Sequence, residues 1–273
     1  GGKGALTAVS IGRATLAISD YIYISGSLYL EKNGTASVDV VTGLPNGLAL
    51  DTDPALSALA AMDGLSEDRK RIEGIQVASL LLSATDVDIF VGLGPYFIDT
   101  NNNGLFDANE SLNAERLGFT LDDIDVGLVM MNTTRGADPA GLLPNFFAMR
   151  LDWHAPINVD MDLFKFTIDE LHLDVNQGGA WKGSPNLIHP YVDFSTSFEG
   201  GLAIPVAAGN PIVINYSTAV IGVTLENALL NVGDMFQITG LSSCLAGTLT
   251  SSKIISRPSS ERWKPASEKH SQF

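Results

Sequence analysis

Apolar and polar residues alternate along much of this chain, which is the two-residue period of β-strands. The alternating segments and the purely apolar runs are residues 75–83, 85–93, 147–153, 157–166 and 171–175. Residues 202–207 and 212–215 flank a Gly209-Asn210 turn and predict two further strands. The pattern predicts an all-β fold, either an elongated sandwich or a solenoid-like stack of strands, with one sheet face buried and the other in water.

Turn and capping residues refine this picture. Asn33-Gly34 lies between two alternating runs in residues 27–41, which predicts a β-hairpin. A single short helix is predicted at residues 54–62, because Asp53 can cap it, Pro54 suits its first turn and Gly64 ends it.

Composition narrows the class of protein. The chain has 273 residues, 45% of them hydrophobic, so it can bury a substantial core. Its net charge of −15 disfavours nucleic acid and anionic lipid as partners. Cys244 is the one cysteine, which excludes an intrachain disulfide. Residues 201–225 carry no charge, but Pro205 and Pro211 favour strands over a membrane-spanning helix.

The chain divides near residue 250. Residues 1–250 carry the strand patterns and predict one β-rich domain. Residues 251–273 are rich in Ser, Lys, Arg and Pro and contain five basic and two acidic residues. This composition predicts a disordered or non-native tail.

Residues 99–110 have the ligand spacing of an EF-hand-type calcium loop. Loop positions one, three, five, nine and twelve carry oxygen-bearing side chains, which are Asp99, Asn101, Asn103, Asp107 and Glu110. Gly104 occupies position six, where the chain turns sharply, and Leu105 at position seven offers its backbone carbonyl. We expect Asp107 to bind Ca²⁺ directly or through water. The alternative is an Asn-rich surface turn that binds no ion.

The flanks of this loop differ from those of a true EF-hand. Residues 87–98 are β-branched and aromatic and predict a strand, while residues 108–116 predict two helical turns ended by Gly118. No second loop of this kind is present, so we expect a structural ion rather than a calcium sensor. Three carboxylates predict weak binding, with a Kd on the order of 10⁻⁵ to 10⁻³ M. The nearby acids could hold a second ion or lie in solvated turns; they are Asp122, Asp123 and Asp125.

Two segments at opposite ends of the chain resemble each other. Residues 16–26 align with residues 230–240 at a constant offset of 214 residues, with Leu, Asp, Ile and Gly identical. A weaker similarity joins Gly118-Phe-Thr-Leu to Gly222-Val-Thr-Leu. We expect a long repeat that begins again near residues 228–250, and the alternative is chance similarity between short strands.

Candidate catalytic residues are scattered. No nucleophile elbow, phosphate loop, dinucleotide fingerprint or His-Glu-X-X-His motif is present. Asp152 and His154, like His172 and Asp174, place an acid two residues from an imidazole, which could bind a metal or orient a base. Alternation on the wet face of a sheet gives the same spacing, so we expect no enzymatic activity.

Together these features resemble the repeat units of giant repetitive bacterial surface proteins, the large secreted calcium-binding adhesins. The resemblance rests on the loop Phe97-Ile-Asp-Thr-Asn-Asn-Asn-Gly-Leu-Phe-Asp107, the two Gly-X-Thr-Leu strands, the acidic composition and the long repeat. The Gly-Gly-X-Gly-X-Asp nonapeptides of RTX β-rolls are absent. The resemblance implies an extracellular array on a bacterial cell, in which calcium stiffens each unit.

The sequence therefore predicts a non-catalytic, calcium-binding structural module. Its expected partners are neighbouring repeats and a surface carbohydrate or protein ligand, with neither nucleic acid nor membrane insertion. One rival is a carbohydrate-binding or carbohydrate-cleaving β domain with a structural calcium. Its candidate aromatic platform is Trp153, Trp181 and Tyr191. Another is a phage fibre segment, which would form trimers.

Overall fold

The all-β prediction is confirmed. The computed structural model describes residues 7–18, 22–46, 53, 56–134, 141–154, 156–161, 164–183, 188–232, 236–245 and 248–250, so the predicted tail lies outside the described residues. The strands are β1 Thr7–Ile18, β2 Ile22–Val41, β3 Arg71–Leu93, β4 Leu117–Thr133, β5 Phe146–Trp153, β6 Ile157–Met161, β7 Phe164–Ile168, β8 Glu170–Gly178, β9 Tyr191–Val192, β10 Leu202–Ile204, β11 Ile212–Ile214, β12 Val220–Val232, β13 Phe236–Leu245 and β14 Thr248–Thr250.

Twelve of these strands form one large antiparallel sheet. Its main path runs β1-β2-β3-β4-β5-β8-β12-β13-β14, while β7 pairs with both β6 and β12, and β9 pairs with β2. The predicted hairpin at Gly209-Asn210 is confirmed as β10 and β11, which form a separate two-stranded sheet. The path places β1 at one edge of the large sheet and β14 at the other.

The main hydrophobic core lies between one face of the large sheet and the segments that cover it. Strands β2 to β5 contribute buried residues such as Val40, Val77 and Val129. The covering segments contribute Leu56, Leu59, Leu143, Trp181, Phe194, Ile204 and Ile214. Burial of each large apolar side chain contributes about 1.5–3 kcal/mol. This two-layer arrangement is consistent with the sandwich alternative.

The opposite face of the sheet is exposed to water, as expected, but its residues are apolar and not polar. Cross-strand pairing aligns two rows of apolar residues, one from each of β1, β2, β3, β4, β5, β8 and β12. The first row is Val9, Leu30, Leu82, Leu128, Met149, Val175 and Ile221, and the second is Ile11, Leu28, Ala84, Val126, Leu151, Leu173 and Val223. Exposed fractions reach 51% at Val9 and 46% at Ile221.

Polar residues lie instead on the covered face, where the covering segments satisfy them. Ser83 Oγ donates to the carbonyl of Pro205 at 2.6 Å. The hydroxyl of Tyr216 donates to Asp174 and to the carbonyl of Met149. The two-residue alternation therefore assigned residues to the two sheet faces correctly. The polar face, however, is the covered one, where these polar groups have hydrogen-bond partners, as buried polar groups require.

The hairpin predicted at Asn33-Gly34 is wrong, because β2 continues through both residues. Lys32 pairs with Leu80 and Thr35 with Ala78, so two residues of β2 oppose one residue of β3. This is a β-bulge, in which Gly34 N donates to Asn33 Oδ1 at 2.8 Å. Pairing with β3 along the whole of β2 overrides the local preference of Asn-Gly for a turn.

The helix predictions are partly corrected. The short helix predicted at residues 54–62 is a 3-10 helix at Leu56–Ala61, and residues 54 and 55 lie outside the described residues. Asp53 caps this helix, since Leu56 N donates to Asp53 Oδ1 at 3.2 Å. A four-residue helix, α1 at Phe194–Ser197, was not predicted. Residues 108–116 form no helix. They pair back on the entry segment through a bridge between Phe97 and Leu112.

Candidate functional site

The candidate calcium loop lies between β3 and β4 on a small aromatic cluster. This cluster consists of Tyr23, Phe90, Tyr96, Phe97 and Phe106. The rings of Tyr23 and Tyr96 are stacked at 4.9 Å, and Phe106 contacts Tyr96 edge-on at 5.9 Å. Because Tyr23 belongs to β2 and Phe90 to β3, the cluster joins the loop to the sheet.

The first half of the loop is organised by Asp99. Its carboxylate accepts hydrogen bonds from Asn103 N at 3.1 Å and from Gly104 N at 2.8 Å. Gly104 has φ 73°, the left-handed conformation that glycine adopts without strain. The predicted sharp turn at position six is therefore present, and Asp99 points across the loop toward it.

The second half is organised by Asp107 and Glu110. Asp107 Oδ2 accepts from the side-chain amides of Asn101 at 2.9 Å and Asn103 at 2.8 Å, and these bonds hold the pKa of Asp107 below its usual range. Glu110 accepts from Thr100 N at 2.8 Å and from Asp107 N at 3.1 Å. All five predicted side-chain ligands thus take part in hydrogen bonds within one loop.

The donor set fits calcium, which prefers carboxylate, amide and carbonyl oxygens. The amide oxygens of Asn101 and Asn103 accept from Asn103 N and Leu105 N, while their amide nitrogens face Asp107. Calcium would bind through the side chains of Asp99, Asn101, Asn103 and Glu110, with Asp107 and the Leu105 carbonyl completing the set.

Among the described residues, two groups of three side chains place carboxylate oxygens or histidine nitrogens within 4.8 Å of one another, and neither group includes a carboxylate of the loop at residues 99–110. One group is Asp86, Asp123 and Asp125, which contains two of the three acids considered for a second ion. The third acid, Asp122, accepts instead from the Tyr96 hydroxyl at 3.3 Å.

A backbone role accounts for the acids of this group. Asp86 and Asp123 have φ of 51° and 61°, and both lie at irregular points of the β3–β4 pairing. Asp86 N donates to Asp125 Oδ1 at 3.0 Å, and Asp123 N donates to Asp88 Oδ1 at 3.3 Å. Burial raises the pKa of Asp125 and of Asp88. The carboxylates of Asp125 and Asp88 therefore satisfy the backbone amides of Asp86 and Asp123, where the strands distort.

The second group is Glu170, His172 and Glu226, on β8 and β12. His172 Nδ1 lies 2.6 Å from Asp152 Oδ1, and His172 Nε2 lies 3.3 Å from Glu170 Oε2. The structure thus pairs Asp152 with His172, not with His154, and pairs Asp174 with Tyr216. Sequence spacing could not reveal these partners, because Asp152 meets His172 through the pairing of β5 with β8, and Tyr216 lies 42 residues from Asp174 along the chain.

The candidate aromatic platform for a sugar is not on the surface. Trp181 is 1% exposed and its Nε1 donates to the carbonyl of Thr42 at 3.0 Å, while Trp153 is 7% exposed. Tyr191 is half-buried on β9. A sugar ring stacks on an accessible aromatic face, so both tryptophans are unsuited to that role in this structure.

No known protein family, no curated protein and no solved structure matches this chain. Within the described part of the chain, no helix has the length and apolar character needed to cross a membrane.

Proposed function

We propose that this chain is a non-catalytic structural module that binds one Ca²⁺ in the loop at residues 99–110 and serves as a unit of a repetitive bacterial surface protein outside the cell. The observation that carries the proposal is the hydrogen-bonded loop itself. Its five side-chain ligands form one network, and Phe106 attaches that network to the aromatic cluster.

Calcium would act on the stability of one end of the sheet. Asp99, Asp107 and Glu110 bring three carboxylates into one short loop, and their mutual repulsion falls when a divalent cation binds between them. The loop packs against β2 and β3 through the aromatic cluster. An ordered loop therefore reduces the conformational freedom of the ends of both strands. A module stiffened in this way suits an extracellular array.

The expected affinity agrees with that location. Two of the five side-chain ligands are neutral amides, which supports a Kd on the order of 10⁻⁵ to 10⁻³ M, the range of extracellular modules. The net charge of −15 suits calcium-rich surroundings, where divalent cations reduce repulsion between adjacent acidic units. Neighbouring units of the array are the partners we propose.

The test is calorimetric titration of the full chain with CaCl₂, together with thermal unfolding in calcium and in chelator. We expect about one bound ion and a higher Tm in calcium, because a ligand specific for the folded state stabilises it by about 2.7 kcal/mol at one hundred times its Kd. Absence of both heat and a Tm shift at about 100 mM calcium, one hundred times the weakest expected Kd, would reduce the loop to an Asn-rich turn.

Two variants locate the ion. Asp99→Asn combined with Glu110→Gln removes two loop carboxylates and should abolish both the heat of binding and the calcium-dependent Tm shift. Glu115→Gln, which changes a carboxylate just outside the loop, is the matched control and should bind calcium as the parent chain does. If the double variant binds normally, the ion lies elsewhere and the proposed site is wrong.

A further inference from the structure

The two similar sequence segments form hairpins with the same pairing. In the hairpin of β1 and β2, Leu16 pairs with Ile24. In the hairpin of β12 and β13, Leu230 pairs with Ile238, which is the same pair displaced by 214 residues. Register and sequence therefore agree on one alignment of the two hairpins.

The agreement extends beyond the segments that are similar in sequence. The pairing of β1 with β2 is irregular between Ile11 and Ala14. The pairing of β12 with β13 is irregular between Leu225 and Ala228, the equivalent positions. A β-bulge fixes where a strand bends and twists, so a shared bulge is a second point of structural equivalence.

The two hairpins differ in their surroundings. β12 has a second neighbour, β8, with Ile221 opposite Val175, Val223 opposite Leu173 and Leu225 opposite Leu171. β1 is an edge strand, paired only with β2 within the described part of the chain. If β1 is the equivalent of β12, its outer edge has the geometry that accepts a β8 strand.

We propose that the outer edge of β1 is the docking site for β8 of a preceding copy of this unit, with Val9 opposite Leu173 and Ile11 opposite Leu171 of that copy. The large sheet then continues from one unit into the next. The proposal rests on the repeat array of the proposed function, but it does not depend on calcium.

The side chains at this edge support the pairing. Val9 and Ile11 are 51% and 42% exposed, and they lie on the apolar face of the sheet. Leu171 and Leu173 lie on the same face of β8, so docking places apolar residues beside apolar residues. A long exposed apolar edge strand is a liability that proteins normally cover or pair, and a preceding unit would pair it.

The arrangement also specifies how units must be connected. In this chain the outer edge of β8 is already paired with β12. Separate copies therefore cannot add to one another unless β12 is displaced. Within an array, β12 and β13 correspond to the first hairpin of the following unit, so the covalent chain itself delivers that hairpin to β8.

The test is a tandem protein in which residues 1–219 are fused directly to residues 6–273, a junction that keeps the 214-residue offset and also keeps Tyr216 with its bond to Asp174. This fusion places β1 of the second unit where β12 normally follows β8. Cys244 is replaced by Ser throughout. Leu173→Cys in the first unit is combined with Val9→Cys in the second, and disulfide formation is followed under mild oxidation.

Two reference pairs calibrate the result. Leu173→Cys with Val223→Cys in the single chain reports the cross-linking rate of the pairing already present in the structure. Leu173→Cys with Thr7→Cys in the tandem is displaced by two residues and is too far apart for a disulfide in the proposed register.

We expect the tandem that carries Leu173→Cys and Val9→Cys to cross-link at a rate close to the single-chain reference and at least about tenfold faster than the displaced pair. Equal rates for the matched and displaced pairs would overturn the proposal, as would a tandem that fails to fold while the single chain folds. Calcium titration of the same tandem distinguishes calcium binding by the loop from docking of β8 on β1. A tandem that cross-links but binds no calcium would contradict the proposed function and support the docking.

Discussion

Arg13 of the edge strand β1 reaches the candidate calcium loop, where its Nη1 lies 3.7 Å from Asp107 Oδ1. The same guanidinium donates to the carbonyl of Phe106. Arg13 lies in the irregular stretch of β1 between Ile11 and Ala14, so the bulge directs it toward the loop. The loop is thereby attached to β1 as well as to β2 and β3.

Arg13→Ala should affect calcium binding more than stability. Both side chains of the pair are partly exposed, so without calcium we expect little change in the free energy of unfolding. Calcium should bind more tightly, because loss of the Arg13 charge removes its repulsion of the divalent cation and its competition for Asp107.

Calorimetry at low and high ionic strength checks this prediction, since screening should shrink the difference. Lys32→Ala, which removes an exposed positive charge from β2, is the control and should leave the calcium Kd unchanged. Weaker calcium binding by Arg13→Ala would mean that Arg13 orders the loop rather than competing with the cation.

Asp193 should stabilise the fold in a pH-dependent way. It is buried, caps α1 by accepting from Ser195 N and Thr196 N, and forms an ion pair with Arg71 at 2.8 Å. Although burial opposes its ionisation, the bonds from Ser195, Arg71 and Thr196 prevail and lower its pKa. A group with a lowered folded-state pKa contributes stability above its unfolded pKa of about 3.9.

Asp193→Asn should therefore lower the free energy of unfolding by about 1–3 kcal/mol at pH 7. The difference from the parent chain should shrink as the pH falls below about 4 and through the folded pKa. Urea unfolding at pH 7 and pH 3 measures both values, with Asp63→Asn, a change at an exposed carboxylate, as the control. A difference that stays constant with pH would contradict the role of the charge.

His172 should stabilise the fold at low pH and lose this contribution at high pH, the reverse of Asp193. Burial opposes protonation, but the bond to Asp152 and the charges of Asp152, Glu170 and Glu226 outweigh it and raise the pKa of His172. A raised folded-state pKa means that the contribution is complete below the unfolded value of about 6.5 and is lost as the pH rises through the folded value.

His172→Gln should destabilise the chain by about 1 kcal/mol at pH 5.5 and by less at pH 9. Chemical unfolding at both pH values tests this difference. His154→Gln is the matched control, because His154 is exposed, and it should show little effect at either pH. A larger cost at pH 9 than at pH 5.5 would show that the neutral imidazole is the stabilising form.

Local features of this fold could be predicted from the sequence. The spacing of residues 99–110 predicted a sharp turn at Gly104, and the turn is present, because hydrogen bonds within a loop depend on residues close in sequence. The Gly209-Asn210 hairpin was predictable for the same reason.

Features that depend on distant partners could not be predicted. Asn33-Gly34 became a bulge because β3 pairs along the whole of β2. Asp152 contacts His172 and not His154 because β5 pairs with β8, although the β6–β7 hairpin lies between these two strands in the sequence. Alternation identified which residues share a sheet face, but the covering segments determine which face is enclosed.

In the array proposed above, the order of strands in the large sheet would set how far each folded unit advances the axis. From β1 to β12 the path crosses six interstrand gaps, so one folded unit would advance the axis of the array by about 29 Å at roughly 4.8 Å per strand. The same 214 residues pulled straight would span on the order of 700 Å. Most of the contour length of such an array would therefore be stored in folded units. Under load, each unit that unfolded would lengthen the array and lower the tension before the chain broke.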